Sequence, residues 1–316
     1  MKTKFTFIDL FAGIGGMRIP FEELGGKCVF SSENDKYARF SYSEMFNEDE
    51  TAIAGDISKV DTKTIPRHDV LLAGFPCQPF SNAGLKKGFQ DTRGTAFDDI
   101  RRILEFHKPR AFLLENVPGL RSHDDGRTFE TIMEILSQDL NYKFPEDPII
   151  LNAKDFGLPQ NRKRIFIVGF SKDLKFRFPS PLNLKTKVND ILEKESKVDK
   201  KFIISRRLWT SHKLRKKRNK ASGKGFGYKL SNRSDEYTRT LSSRYYKDGS
   251  EILINRGSRK NPRFLTPKEC SRLQGFPKKW EKLPVSNLQA YKQFGNAVSI
   301  NVVRMIAKEI INSLRD

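Results

Sequence analysis

The sequence predicts an α/β fold: a doubly wound, mostly parallel sheet joined to a smaller, mainly β second domain. Two observations predict the sheet. Apolar runs of strand length alternate with amphipathic helical patterns through about residue 170. These strand runs are apolar throughout, as strands are when both faces of a parallel sheet are covered. A third observation predicts the second domain. Near residue 180 the alternation stops, and a polar, then strongly basic, stretch follows.

In chain order, FTFIDLFA (5–12) is a compact apolar run that AGIGG interrupts. A helix follows to about Leu24, where Gly25-Gly26 stops it. CVFSSE (28–33) is the next strand, and Asp35 to Phe46 reads as a helix. DVLLAGF (69–75) is a buried strand that Pro76 ends. Phe97, Ile100, Ile103 and Leu104 share one helical face, AFLLENV (111–117) is a strand, and 127–140 repeats its apolar residues at helical spacing. RIFIVGF (164–170) is the last buried strand. Beyond it, Thr238–Ser242 and Glu251–Ile254 look strand-like, and Ile300 to Leu314 reads as a helix whose apolar stripe packs back on the large domain.

Composition narrows the function classes. No stretch approaches the roughly 20 apolar residues of a membrane helix, and the N-terminus has no secretory pattern. Three widely spaced cysteines (28, 77 and 270) fit neither a disulfide framework nor a CxxC metal site, so the expectation is a reducing compartment and no metal. The net charge is +21, and residues 201–264 hold 19 Lys+Arg against 4 Asp+Glu, a local excess of 15. Positive charge concentrated in this way suits a polyphosphate partner better than a membrane surface.

Doubly wound sheets place ligands at the carboxyl ends of their strands, where several chemically able residues fall. Phe11-Ala12-Gly13-Ile14-Gly15-Gly16 joins a strand to a helix, so its backbone can approach a ligand closely. Glu33 ends the next strand, where a carboxylate can hold ribose hydroxyls. The glycines are not spaced GxGxxG, which disfavours NAD. Pro76-Cys77-Gln78 presents a cysteine to the same cleft, whereas Cys28 and Cys270 read as small buried hydrophobes. Glu115-Asn116 ends the following strand, and a nucleophile with a carboxyl is the pair needed to add to a pyrimidine ring. Alternation sends Arg162 and Arg164 to one side.

The order of motifs resembles that of the bacterial cytosine-C5 DNA methyltransferases. FIDLFAGIGG, GFPCQPFS, GFQDTRGT, ENV, QNRKRIFIVGF, LTPKECSRLQGFP and QFGNAV stand in family order over nearly the whole chain. The resemblance implies a Rossmann-like catalytic domain (1–180 and 285–316) that uses S-adenosylmethionine, and a target-recognition domain (181–284). It implies Cys77 as the nucleophile toward cytosine C6, Glu115 at N3, and Arg162 and Arg164 as the basic pair nearby. It further implies a cofactor pocket of Phe11, Ala12, Gly13, Gly15, Gly16, Glu33, Asn34, Asp56, Ile57, Pro76 and Asn296. Ser81, Arg93, Arg239, Arg244, Tyr245 and Lys247 are the implied DNA contacts. Two positions depart from the family pattern: Asn34 stands where an aromatic residue is common, and Ala96 where leucine is common.

The implied partner is double-stranded DNA, with base flipping and a cognate restriction endonuclease acting separately. The implied setting is a monomer in the bacterial cytoplasm, associated with the nucleoid. KGFGY (224–228) and TRTLSSRYYKDGSEILINRG (238–257) resemble the recognition region of the group that methylates the inner cytosine of CCWGG or CCNGG. Two alternatives stay open: a tRNA cytosine-C5 methyltransferase and a non-catalytic DNA-binding regulator. The intact Cys77, Glu115 and Arg164 set argues against the second.

Overall fold

Six strands build one sheet in the order β2-β1-β3-β4-β6-β5 in a computed structural model that describes residues 4–76, 95–182, 184–225 and 227–315. The strands are β1 (Phe5–Leu10), β2 (Gly26–Ser32), β3 (Val70–Gly74), β4 (Ala111–Asn116), β5 (Ile149–Asn152) and β6 (Lys163–Phe170). Strands β1 to β4 pair in parallel, and β6 runs antiparallel to β4. The chain leaves β1 toward β2 on one side and returns to β3 on the other, so the sheet changes winding direction between β1 and β3. A doubly wound sheet binds its ligands at that point, beyond the carboxyl ends of the strands.

Side chains alternate across the sheet. Ile8, Leu71, Leu114 and Ile167 join a core with α3 (Ala96–His107) and α4 (Arg127–Glu134). Phe7, one residue from Ile8, meets Phe21 of α1 (Arg18–Glu23) at 5.7 Å between ring centroids. The helices form where their caps say they should. Asp35 accepts from the N–H groups of Tyr37 and Ala38 to start α2 (Lys36–Phe46), and Thr95 accepts from Asp98 N–H to start α3. The pattern at 127–140 begins as α4 and continues over Ile135–Asp139 as a π-helical turn.

The chain forms two compact units. The first comprises Met1–Leu151, Lys163–Ser180 and Val302–Asp316, and the second Asn152–Arg162 and Pro181–Asn301. Most of α9 (Ile300–Ser313) belongs to the first unit, where Arg304 pairs with Glu23 and Ser313 donates to Lys175 O.

The expectation of a mainly β second domain is not met. Its described residues contain one two-stranded sheet, β7 (Leu230–Ser231) and β8 (Leu253–Ile254). The helices are α5 (Arg206–Ala221), α6 (Tyr245–Asp248), α7 (Pro267–Leu273) and α8 (Asn287–Asn296). Buried polar side chains hold this unit together where a ladder would otherwise do so. Arg263 and Glu269, both fully buried, bond as a fork, and Glu269 also closes a capping box with Thr266. No described helix is long and apolar enough to cross a membrane.

Candidate active site

Four strand ends of the first unit carry residues that the sequence singles out. After β1, Phe11 takes a positive φ of 53°, rare for a residue with a side chain, and Gly13 and Gly15 follow at 58° and 81°. A Cβ on Gly15 would lie 2.2 Å from the Phe46 ring, so this turn closes against α2 only with glycine there. A Cβ on Gly13 would meet nothing within 4 Å, which leaves open space beside the loop backbone.

Glu33, just past β2, bridges that loop to the next. It accepts from Gly13 N–H and from Asp35 N–H, both at 2.8 Å. Burial raises its carboxyl above the ordinary glutamate range, and the two N–H bonds only partly oppose this. Arg39 braces the same turn from α2, donating to the carbonyls of Glu33 (2.9 Å) and Asn34 (3.1 Å). Asn34 is exposed. Asp56 accepts from the N–H and hydroxyl of Ser58, which hold its carboxyl below the usual range, and Ile57 beside it is buried. A carboxylate beside an open, glycine-lined turn fits a ligand with vicinal hydroxyls, so these residues suit a nucleoside-containing cofactor.

Gly74, the last residue of β3, lies in register with Glu115 of β4. Asn116 donates to Phe75 O at 3.0 Å and so fixes the turn that leads into exposed Pro76. Glu115 is 8% exposed, and its Oε1 lies 2.9 Å from Nε of Arg164 on β6. Glu115 and Arg164 therefore meet, an anchored carboxyl against a guanidinium. Cys77, Ser81 and Arg93 lie outside the described residues.

Arg162 does not join that pair. It belongs to the second unit, is 2% exposed, and gives its guanidinium to the carbonyls of Leu241 (2.8 Å), Gly295 (3.1 Å) and Ala297 (2.7 Å). Alternation suggested a shared side, but β6 starts only at Lys163, so no strand periodicity relates Arg162 to Arg164. Its work is to tie the TRTL and FGNAV segments together. Gly295 serves the same contact, because a Cβ there would fall 2.3 Å from Ser242 O. Asn296 is exposed at the end of α8, also in the second unit.

Of the predicted DNA contacts, Arg239, Arg244 and Lys247 are exposed, and Arg239 rests on Gly227 O. Tyr245 is a correction. It is 0% exposed, its hydroxyl donates to Ile252 O and accepts from Leu265 N–H, and its ring meets Tyr291 edge-on. It has no surface to offer a base. The sequence does not single out Arg39, and it marks Asn116 only by its place beside Glu115. ENV and the helical period mark where they lie, but nothing in the pattern shows that one braces a turn and the other ties β4 to β3.

Known proteins resemble this chain in sequence and in fold. The profile of the family "C-5 cytosine-specific DNA methylase" matches residues 5–312. The chain is 55% identical to "Type II methyltransferase M.DsaV" of Dactylococcopsis salina, over 98% of this chain and 87% of that one. It is 54% identical to "Type II methyltransferase M.NlaX" of Neisseria lactamica, over 97% and 96%. Its fold matches that of the Entamoeba histolytica methyltransferase EhMeth with a TM-score of 0.80 at 21% identity, covering 100% of both chains.

Proposed function

The chain belongs to the C-5 cytosine-specific DNA methylase family and is a cytosine-C5 DNA methyltransferase of the type II restriction-modification kind; from that premise we propose that it uses S-adenosylmethionine and attacks its target base through Cys77. The observation that carries this reading is the 2.9 Å contact of Glu115 with Arg164, one strand from the Phe75-Pro76 turn that leads to Cys77. A carboxyl held by a guanidinium on a rigid strand end suits a fixed role against a pyrimidine ring.

The chemistry follows from cytosine itself. Its carbon 5 is a poor nucleophile. Addition of the Cys77 thiolate to carbon 6 makes carbon 5 enamine-like, and Glu115 bonds at N3 to stabilise the added ring. Arg164 fixes the orientation of Glu115. S-adenosylmethionine supplies an electrophilic methyl group on its sulfonium. Loss of the carbon 5 proton and of Cys77 then restores the aromatic ring. The base must leave the helix stack to reach Cys77.

Phe11, Ala12, Gly13, Gly15, Gly16, Glu33, Asn34, Asp56, Ile57, Pro76 and Asn296 are the proposed cofactor residues, with Glu33 on the ribose hydroxyls. Ser81, Arg93, Arg239, Arg244 and Lys247 are the proposed DNA contacts. Residues 1–180 and 285–316 are the proposed catalytic domain and 181–284 the recognition domain. The proposed target is the inner cytosine of CCWGG or CCNGG, supported by the sequence at 224–228 and 238–257. One flipped base needs one active site, so the proposed working form is a monomer, with any cognate endonuclease acting separately.

The test is methyl transfer from labelled S-adenosylmethionine to a defined plasmid, with modified cytosines mapped by bisulfite sequencing. Cys77→Ser should abolish transfer while DNA binding persists. Transfer surviving in that variant would remove Cys77 as the nucleophile, and protected cytosines in another context would remove the target. Preferential labelling of tRNA would change the substrate class.

A further inference from the structure

Helix α5 is a cationic element without acidic counterweight. Its 16 residues, RRLWTSHKLRKKRNKA, include eight Lys or Arg and no Asp or Glu. Two cations, Arg206 and Arg207, stand in the first turn, where the helix dipole disfavours positive charge. Lys213 with Lys217, and Lys216 with Lys220, are like charges four apart, each pair mildly destabilising. Such a helix is not built for its own stability.

It is nevertheless firmly seated. Ser205 caps its start by accepting from Leu208 N–H at 3.1 Å. Leu208, His212, Arg215 and Asn219 recur at helical spacing as the less exposed seam, with His212 buried. His212 Nε2 lies 3.0 Å from Asp248 O, and Arg215 pairs with the Asp248 carboxylate at 2.9 Å. The Trp209 and Tyr228 rings meet edge-on with centroids 4.7 Å apart. All these partners lie in the second unit.

Opposite that seam run Arg206, Lys213, Lys217 and Lys220, at i, i+7, i+11 and i+14, all exposed. Among the described residues none of the four has a carboxylate partner, in contrast to Arg215. At 1.5 Å rise per residue the stripe is about 21 Å long, comparable with about six base pairs of duplex at 3.4 Å each.

We propose that α5 grips the phosphate backbone of the duplex through this stripe and reads no bases. This rests on the duplex-DNA reading above and adds to it a division of labour within the recognition segment. Lysine heads are mobile point charges, suited to phosphates and poor at the bidentate geometry that base edges demand. A membrane surface fits less well, because the outward face has no apolar stripe to insert. Leu214 is the one large apolar residue of α5 that is exposed, at 63%, and Trp209 is half-buried with its ring edge-on to Tyr228.

The experiment compares wild type with the variant R206Q/K213Q/K217Q/K220Q by fluorescence anisotropy. The probes are 30-base-pair duplexes with and without the target site, across a series of NaCl concentrations. Each lost phosphate contact should flatten the slope of log K against log [salt] by about 0.9, so the variant's slope should be shallower by about three to four. Binding at moderate salt should fall about a hundredfold or more, equally on both duplexes, leaving the preference for the site unchanged.

An unaltered slope would overturn the proposal. So would a collapse of site preference, which would make α5 a reader of bases. Unaltered duplex binding alongside lost binding to phosphatidylserine vesicles would overturn it in favour of a membrane. A wild type whose duplex binding is insensitive to salt would defeat the underlying reading as well, and is seen without any variant. Glutamine retains helix propensity. Should the fourfold variant still fail to fold by circular dichroism, K217Q alone should flatten the slope by about one.

Discussion

Glu33 shows most clearly how one side chain couples fold and chemistry. Its carboxylate closes the loop after β1 by accepting from Gly13 N–H, and it is also the acceptor proposed for ribose hydroxyls. Burial holds its carboxyl above the ordinary value, so the neutral form is the better tolerated in the folded protein. The sign follows. Its contribution to stability is complete below the ordinary carboxylate range and is lost as pH rises through the raised value. Cofactor affinity runs the other way, because accepting from hydroxyls needs the ionised form. Affinity for S-adenosylmethionine, measured by calorimetry between pH 5 and 8, should therefore fall on acidification, at a higher pH than an exposed glutamate would dictate. A profile flat over that range would remove Glu33 from the ribose. The sequence marked Glu33 by its place after a strand. It could not show which neighbouring tyrosine, 245 or 246, turns inward, because two adjacent aromatic residues in a four-residue helix carry no periodicity to choose between them.

Elements with a strong apolar period were legible, and elements held by polar contacts were not. Strands β1 to β4 and helices α2, α3 and α9 fall within a few residues of their expected places because the strands are compact apolar runs and the helices repeat their buried positions at a period near 3.6. Strand direction leaves no such trace, and β6 reads the same parallel or antiparallel. Helix α5 escaped notice because its seam holds one aliphatic residue, Leu208, beside a histidine, an arginine and an asparagine. The hook at 152–162 is a further case, since Arg162 fastens it through three carbonyls. Arg162→Lys keeps the charge but cannot reach three acceptors from one planar fork. We expect a loss of about 2–4 kcal/mol in denaturant unfolding, since each hydrogen bond to a charged group contributes roughly 1.5–3 kcal/mol. The variant should still bind S-adenosylmethionine. A lysine variant as stable as wild type would mean that the fork is not what holds the hook.

At the scale of the whole molecule, charge is the dominant design feature. A net +21 repels itself in the folded state, most strongly where residues 201–264 gather an excess of 15. Salt should therefore act with opposite signs on two observables. Raising NaCl from 50 to 500 mM shortens the screening length from roughly 14 to 4 Å, which should raise the thermal midpoint by a few degrees. The same change should weaken duplex binding by several orders of magnitude. A midpoint that fell with salt would mean that attractive ion pairs, such as the cluster of Arg256 and Arg263 on Glu195, outweigh the repulsion.

The first unit is built from three stretches, and the last of them, Val302–Asp316, follows the whole of the second unit. Arg304 on α9 pairs with Glu23, 281 residues earlier. At about 5–20 residues per second, a ribosome takes roughly 15–60 s to make that span. Throughout that interval the nascent sheet lacks its closing helix, and the apolar surface awaiting Ile306 and Ile310 stays uncovered. Such an intermediate is a natural client for chaperones that shelter unfinished chains. Cellular yield of this enzyme should thus depend on the supply of that help as well as on the stability of the finished fold.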